Sequence, residues 1–148
     1  MIDTVLIPVD GSDQSVEAVR YTDIVFPEAD IVLLTVIDPV SGFAAYDGNT
    51  SGNWEVQARN QAKDLLTTHR DRLSDPGSTD TRVTVGSPSE QITGIADAVD
   101  ADQIVMGSHG RSGVQRLLVG SVAEQVMRST SIPVTIVRWQ YYICPNKI

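Results

Sequence analysis

Five short apolar runs punctuate this chain: Thr4 to Val9, Asp30 to Ile37, Arg82 to Val85, Gln103 to Met106, and Pro133 to Val137. Each is brief, rich in β-branched residues and apolar at nearly every position, which is the pattern of a strand buried on both faces. Segments with helical periodicity lie between them. The resulting β-α-β-α-β-α-β-α-β order requires right-handed crossovers and helices on both faces, so the chain reads as an α/β protein with a doubly wound five-stranded parallel sheet. Ligands in such sheets bind beyond the carboxyl ends of the strands, where the strand order reverses. Two candidate loops leave strand ends directly: Val9-Asp10-Gly11-Ser12 after the first strand, and Gly107 onward after the fourth.

The intervening segments carry recognisable helix starts. Ser12 is a good N-cap for a first helix, with Val16, Val19, Ile24 and Val25 available to its buried side. A second helix is expected from about Asn53 to Leu73, where Val56, Leu65, Leu66 and Leu73 supply apolar positions. Its middle, Gln57 to Lys63, and the polar stretch around His69 read as solvated. Ser87-Pro88-Ser89-Glu90 is a capping box with proline at the first helical position, so a third helix should start there and end near Asp100. Ser121-Val122-Ala123-Glu124 is another such box. Gly120 before it sets Val114 to Val119 apart as a short turn and starts the last helix at Ser121, with Val122, Val126 and Met127 toward the sheet.

With 148 residues, 41% of them hydrophobic, the chain can bury the core of one ordinary domain. No apolar stretch approaches the roughly 18 residues that span a bilayer, and the strand pattern Val5-Leu6-Ile7 stands where a signal segment would have a charged region and an apolar stretch. A cytoplasmic protein with no membrane partner is expected. Cys144 is the single cysteine, so an internal disulfide and a thiolate metal site are both excluded. The net charge of -8 argues against a nucleic-acid partner, whose phosphates need a basic face. An Asp-rich surface with only Lys63 and Lys147 as lysines suits a halophilic setting, where salt screens self-repulsion, and equally suits an ordinary acidic protein. Two segments fall outside the repeat. Pro39 to Gly52 reads as a lid or an irregular loop, and residues 139–148 read as an irregular or non-native tail beyond a domain of residues 1–138.

Gly107 to Ser121, GSHGRSGVQRLLVGS, is the segment richest in chemistry. Gly107, Gly110 and Gly113 permit positive φ and close approach of backbone to ligand, so successive N–H groups can line one concavity. Gly120 and Ser121 bring a helix N-terminus, with Val122 in its first turn, toward the same side. Backbone donors can bind a polyphosphate there without a dedicated lysine. The segment is neither a P-loop nor a dinucleotide fingerprint, since GxxxxGK[ST] and GxGxxG after a first strand are both absent. Turn-making glycines and a merely capping Ser121 are the competing structural reading.

Gly107, two residues, Gly110, nine residues, then Gly120-Ser121 resembles the G-2x-G-9x-G-[ST] signature of the ATP-binding branch of the universal stress protein family. The likeness extends through Val5 to Ser12, Leu33 to Asp38, Val85 to Ile92 and Ser131 to Arg138. The resemblance implies a Rossmann-like fold of the adenine nucleotide alpha hydrolase type. It places Asp10 near ribose and phosphates, Pro8 and Val9 along the cleft, the Val36 backbone at the adenine edge, and Met106 beside the base. Gly107, Gly110, Gly120, Ser121 and Val122 match the phosphate end. Asp10 suits a ribose hydroxyl, Mg2+ through water, or simply a turn. Arg111 and Arg116 are candidate phosphate cations, and His109 is a candidate contact or base with no orienting third group.

The resemblance also implies a homodimer joined through the fifth strand, Pro133 to Val137, whose exposed edge would otherwise invite aggregation. A regulatory protein binding ATP, or AMP or ADP, with Mg2+ is the leading reading. A slow ATP hydrolase or self-phosphorylating enzyme, with Asp10 and His109 polarising water, is a second reading. A dimeric scaffold that needs no nucleotide is a third, and the intact glycine signature counts against it.

Overall fold

The computed structural model describes residues 2–40, 53–108 and 119–138. Its elements are β1 (Thr4–Pro8), α1 (Asp13–Val25), β2 (Asp30–Ile37), α2 (Trp54–Asp71), a 3-10 turn (Pro76–Ser78), β3 (Thr79–Val85), α3 (Pro88–Ala98), β4 (Gln103–Gly107), α4 (Ser121–Ser129) and β5 (Val134–Val137). The strands form one five-stranded sheet in the order β3-β2-β1-β4-β5. Every pairing is parallel.

The two faces of the sheet are covered by different helix pairs, as a parallel sheet requires. On one face Val5, Ile7, Leu33 and Val105 pack with Ala18 and Val19 of α1 and Leu66 of α2. On the other, Leu6, Leu34, Ile104 and Met106 pack with Ile92 and Ala96 of α3 and Ala123 and Val126 of α4. Alternation along β1 therefore sends Val5 and Ile7 to one core and Leu6 to the other, which explains why the run is apolar throughout.

β3 begins three residues earlier than its apolar run, at Thr79, and pairs with β2 over seven rungs from Ile31–Thr79 to Ile37–Val85. It is an edge strand whose Asp80 and Arg82 are exposed, so its first half alternates instead of being apolar throughout. Several helix expectations also shift. Ser15, Ala18, Val19 and Thr22 form the buried stripe of α1, which leaves Ile24 and Val25 exposed beyond it. In α2 the buried positions are Ala58, Ala62, Leu66 and His69, while Val56 is exposed. The polar-looking middle of α2 is thus not wholly solvated, because Ala58 and Ala62 lie over Ile37. Met127 of α4 is exposed, and Ala123 takes the sheet-facing place beside Val126.

Ser12 caps α1 as expected, its hydroxyl accepting from Ser15 N–H at 3.2 Å. The two capping boxes do not close: neither Ser87 at the N-cap of α3 nor the start of α4 makes a side-chain cap bond. Gly120, not Ser121, is the N-cap of α4. At the end of α3, Asp100 takes a left-handed φ of 53°, and Ala101 N–H returns to Ala96 C=O at 2.9 Å. That reversal aims the chain into β4.

Candidate functional site

The strand order reverses between β1 and β4, the position at which open α/β sheets bind ligands. Pairing between these strands is confined to Val5–Gln103 and Leu6–Ile104, although β1 runs on to Pro8 and β4 to Gly107. Pro8 has no N–H to offer a further rung. The two strand ends therefore part, and the loops predicted from the sequence leave from either side of the gap.

The β1–α1 loop is held firmly. Val9 N–H donates to Leu34 C=O at 2.8 Å, and Val9 C=O accepts from Thr35 Oγ1 at 3.1 Å. Gly11 takes φ +85°, a conformation that favours glycine. Asp10 is exposed, and its Oδ1 accepts from Ser12 N–H at 3.0 Å. The turn role open to Asp10 is therefore filled by one oxygen of its carboxylate, and its second oxygen is not part of that turn.

β2 outruns β1 on the other side of this loop. Leu34 directs its carbonyl toward β1, whereas Ile37 directs its carbonyl to Gly86 beyond β3 at 2.9 Å. Backbone groups of alternate residues in a strand point to opposite neighbours. The N–H and C=O of Val36 accordingly face the β1 side, past the point where β1 ends. Met106, by contrast, buries its side chain in the core shared by α3 and α4, so what it presents at this end is backbone.

Gly107 does not use the positive φ open to a glycine; among the described glycines only Gly11 and Gly86 do. It ends β4, and its missing side chain serves α1. A Cβ at Gly107 would lie 2.5 Å from Gln14 Cβ and 2.8 Å from the Gln14 carbonyl carbon, so the first turn of α1 rests directly on this glycine. Ser108, which is buried, donates its N–H to Val137 C=O at 3.0 Å and accepts from Gly120 N–H at 2.6 Å. That last bond returns the chain to the end of β4. Gly107, Gly120, Ser121 and Val122 are thereby brought together with Pro8, Val9 and Asp10 around one end of the sheet.

All four described helices begin at this end of the sheet, and the two that follow β1 and β4 differ. The N-terminus of α1 is capped by Ser12, whereas α4 has no capping side chain among the described residues and Ser121 is exposed in its first turn. Val122 is partly buried against the core, so the polar group it contributes is its backbone N–H. A helix end with unsatisfied N–H groups and the positive end of its dipole suits an anion. His109, Gly110, Arg111, Gly113 and Arg116 lie outside the described residues, as do the 41–52 segment and the 139–148 tail.

Sequence reasoning missed one residue near this loop. His69 is 1% exposed, not solvated, and its Nδ1 is buried without a hydrogen-bond partner among the described residues. Burial holds the imidazole below its ordinary pKa, Arg72 adds to that, and Asp10 opposes it. Its place on the stripe Ala62, Leu66, His69, Leu73, spaced four, three and four residues, is the signal that marks it as inward-facing.

The Universal stress protein family model matches residues 1–138. The chain belongs to this family. Among curated universal stress proteins, one from Methanocaldococcus jannaschii is 32% identical over 140 residues, spanning 90% of this chain and 81% of its own. The solved structure of the protein MJ0577 superposes with a TM-score of 0.79 at 27% identity, covering 93% of this chain and 96% of that one. A universal stress protein solved in complex with cAMP is similar at 30% identity and a TM-score of 0.65, covering 93% and 98%. The five-stranded parallel α/β architecture is thus that of solved universal stress proteins.

Proposed function

We propose that this universal stress protein binds an adenine nucleotide, ATP with Mg2+ foremost, in the gap between β1 and β4, and that binding regulates its contacts in a stress response. The observation that carries the reading is the convergence, at the reversal point of the sheet, of the α4 N-terminus, which no described side chain caps, with the Val36 backbone beyond the end of β1. Val36 offers one donor and one acceptor side by side, which matches the ring nitrogen and exocyclic amine of adenine. Phosphates fit the first turn of α4, with the Ser121 hydroxyl, unused as a cap, as a further donor. Asp10 stands between these ends and suits a ribose hydroxyl. A similar universal stress protein solved in complex with cAMP supports an adenine nucleotide as the class of ligand. Mg2+ fits as a bridge between phosphate oxygens that keeps several of its waters.

The reading extends to a cytoplasmic homodimer joined through β5. No described helix is long and apolar enough to cross a membrane. The acidic composition further suits a halophilic setting, in which unfolding midpoints rise with added salt.

Denaturing purified protein and identifying the released small molecules by chromatography tests the ligand. AMP, ADP or ATP is the expected product, and another class of molecule from the same site would sink the reading. Ser121→Ala, which removes no cap, should leave stability within about 0.5 kcal/mol. The same change should weaken ATP binding severalfold in a calorimetric titration.

A further inference from the structure

We propose that His69 is a pH-sensitive support for the β1–α1 loop: the neutral imidazole lets α2 pack against that loop, and protonation undoes the packing. Its effect on a ligand rests on the nucleotide-binding reading above, whereas the effect on the empty protein does not.

The geometry is a short chain of contacts. His69 lies in the last turn of α2, 1% exposed, with Nδ1 buried and unpartnered among the described residues. Leu65, one turn earlier, brings its Cδ1 to 3.9 Å from where a Gly11 Cβ would stand. Gly11 is the left-handed residue of the turn in which Asp10 Oδ1 accepts from Ser12 N–H, and Ser12 in turn caps α1. The position of α2 is thereby coupled to the loop that borders the β1/β4 gap.

A neutral imidazole can leave one ring nitrogen without a donor proton, so an unpartnered Nδ1 is tolerable. The imidazolium has two N–H donors, and a buried donor with no acceptor is costly. Relief requires the last turns of α2 to open toward water, which withdraws Leu65 from Gly11. Arg72 on the same chain segment disfavours the added charge, and Asp10 from the β1–α1 loop is the group that favours it. Other charges on the packed elements are engaged elsewhere. Asp23 of α1 accepts from Ser74 N–H at 3.1 Å and from its hydroxyl at 2.8 Å, and Asp80 of β3 pairs with Arg82 at 3.2 Å, while Glu17 of α1 has one oxygen 3.5 Å from Arg20 and the other buried without a partner among the described residues, burial raising its pKa. At the start of β2, Asp30 is exposed.

The direction with pH follows. A group whose pKa is lower folded than unfolded binds more protons when unfolded, so its stability contribution is present above the unfolded value and lost as pH falls toward the folded one. Urea unfolding of the nucleotide-free full chain between pH 7.5 and 5.5 reads this directly. In the unsubstituted protein the folding equilibrium constant should fall below about pH 6.5, by up to about tenfold per pH unit. His69→Leu should remove that fall. An equal fall in both proteins, or none in the unsubstituted one, overturns the proposal.

Should His69→Leu fail to fold, the imidazole proton resonances of the unsubstituted protein, assigned against His109→Gln, give the answer. A His69 midpoint below about 6.5 supports the role, and one at or above it overturns it. ATP titrated at pH 7.5 and 5.5 tests the coupling: binding should weaken severalfold at the lower pH in the unsubstituted protein and not in His69→Leu. Absence of ATP binding at either pH overturns the coupling to ligand and the nucleotide reading together, while the unfolding profiles still decide the role of His69.

Discussion

Gly107 shows how one residue can answer to packing and binding at once. Its place in the glycine signature draws attention to ligands, yet the nearest atoms to an added Cβ belong to Gln14 of α1, including the Gln14 carbonyl oxygen at 2.9 Å. Backbone on a helix cannot yield as a side-chain tip can. Gly107→Ala should therefore destabilise the fold by about 1–3 kcal/mol, the usual range for overpacking, measured as a lower urea midpoint. An unchanged midpoint would mean that α1 does not rest on β4 in this way. Spacing in the sequence marked Gly107 for positive φ and for close approach to a ligand; the structure shows no positive φ there and a close approach to α1, and in one dimension these requirements look the same. His69 was misread for a related reason. Polar neighbours on either side suggested a solvated face, while the four-three-four spacing with Ala62, Leu66 and Leu73 placed it inside. Asp10 was legible as a turn former, and the structure gives it that turn.

At the scale of elements, the most consequential connection is at the opposite end of the sheet from the gap. Asp102 Oδ2 accepts from the N–H groups of Asp3 and Thr4 at 2.9 and 3.0 Å, and Asp102 N–H donates to Thr4 C=O at 2.8 Å. The start of β4 is thereby stapled to the start of β1, close to the two rungs that those strands share. These backbone hydrogen bonds hold the Asp102 carboxyl below the usual carboxylate range. A carboxylate depressed in the folded state contributes stability above its unfolded pKa and loses it as pH falls through the folded one. Asp102→Asn should thus lower stability at neutral pH and flatten the acid limb of the unfolding profile below about pH 4. Parallel profiles for the two proteins would contradict the staple. The central strands were legible because burial on both faces makes them apolar throughout. The start of β3 was not, since an edge strand alternates, and the failed capping boxes show that a suitable residue at an N-cap does not guarantee that its hydroxyl turns inward.

For the whole molecule, the sheet ends on one side at β5. Pro133 and Val137 direct their carbonyls to β4, so the intervening Val134 and Ile136 direct backbone groups to an edge that no further strand covers among the described residues. An unpaired edge of this kind is a template for a second copy. Sedimentation at micromolar concentration should find a dimer, and monomer alone would contradict the proposed pairing through β5. The doubly wound topology was legible from element order, because crossover handedness and strand burial leave few alternatives, whereas the reversal between β1 and β4 emerges only with the strand order itself. What order alone could not show is that the two strands part after two rungs, or that Gly120 is tied back to Ser108 so that α4 opens onto the same gap.

That gap is the site on which the account depends, and calorimetric titration of nucleotide-free protein with ATP and Mg2+ tests it most directly. Saturable one-to-one binding with a Kd below about 1 mM, stronger than roughly 4 kcal/mol, is the predicted result. No saturable binding of ATP at millimolar concentration by folded protein would contradict it.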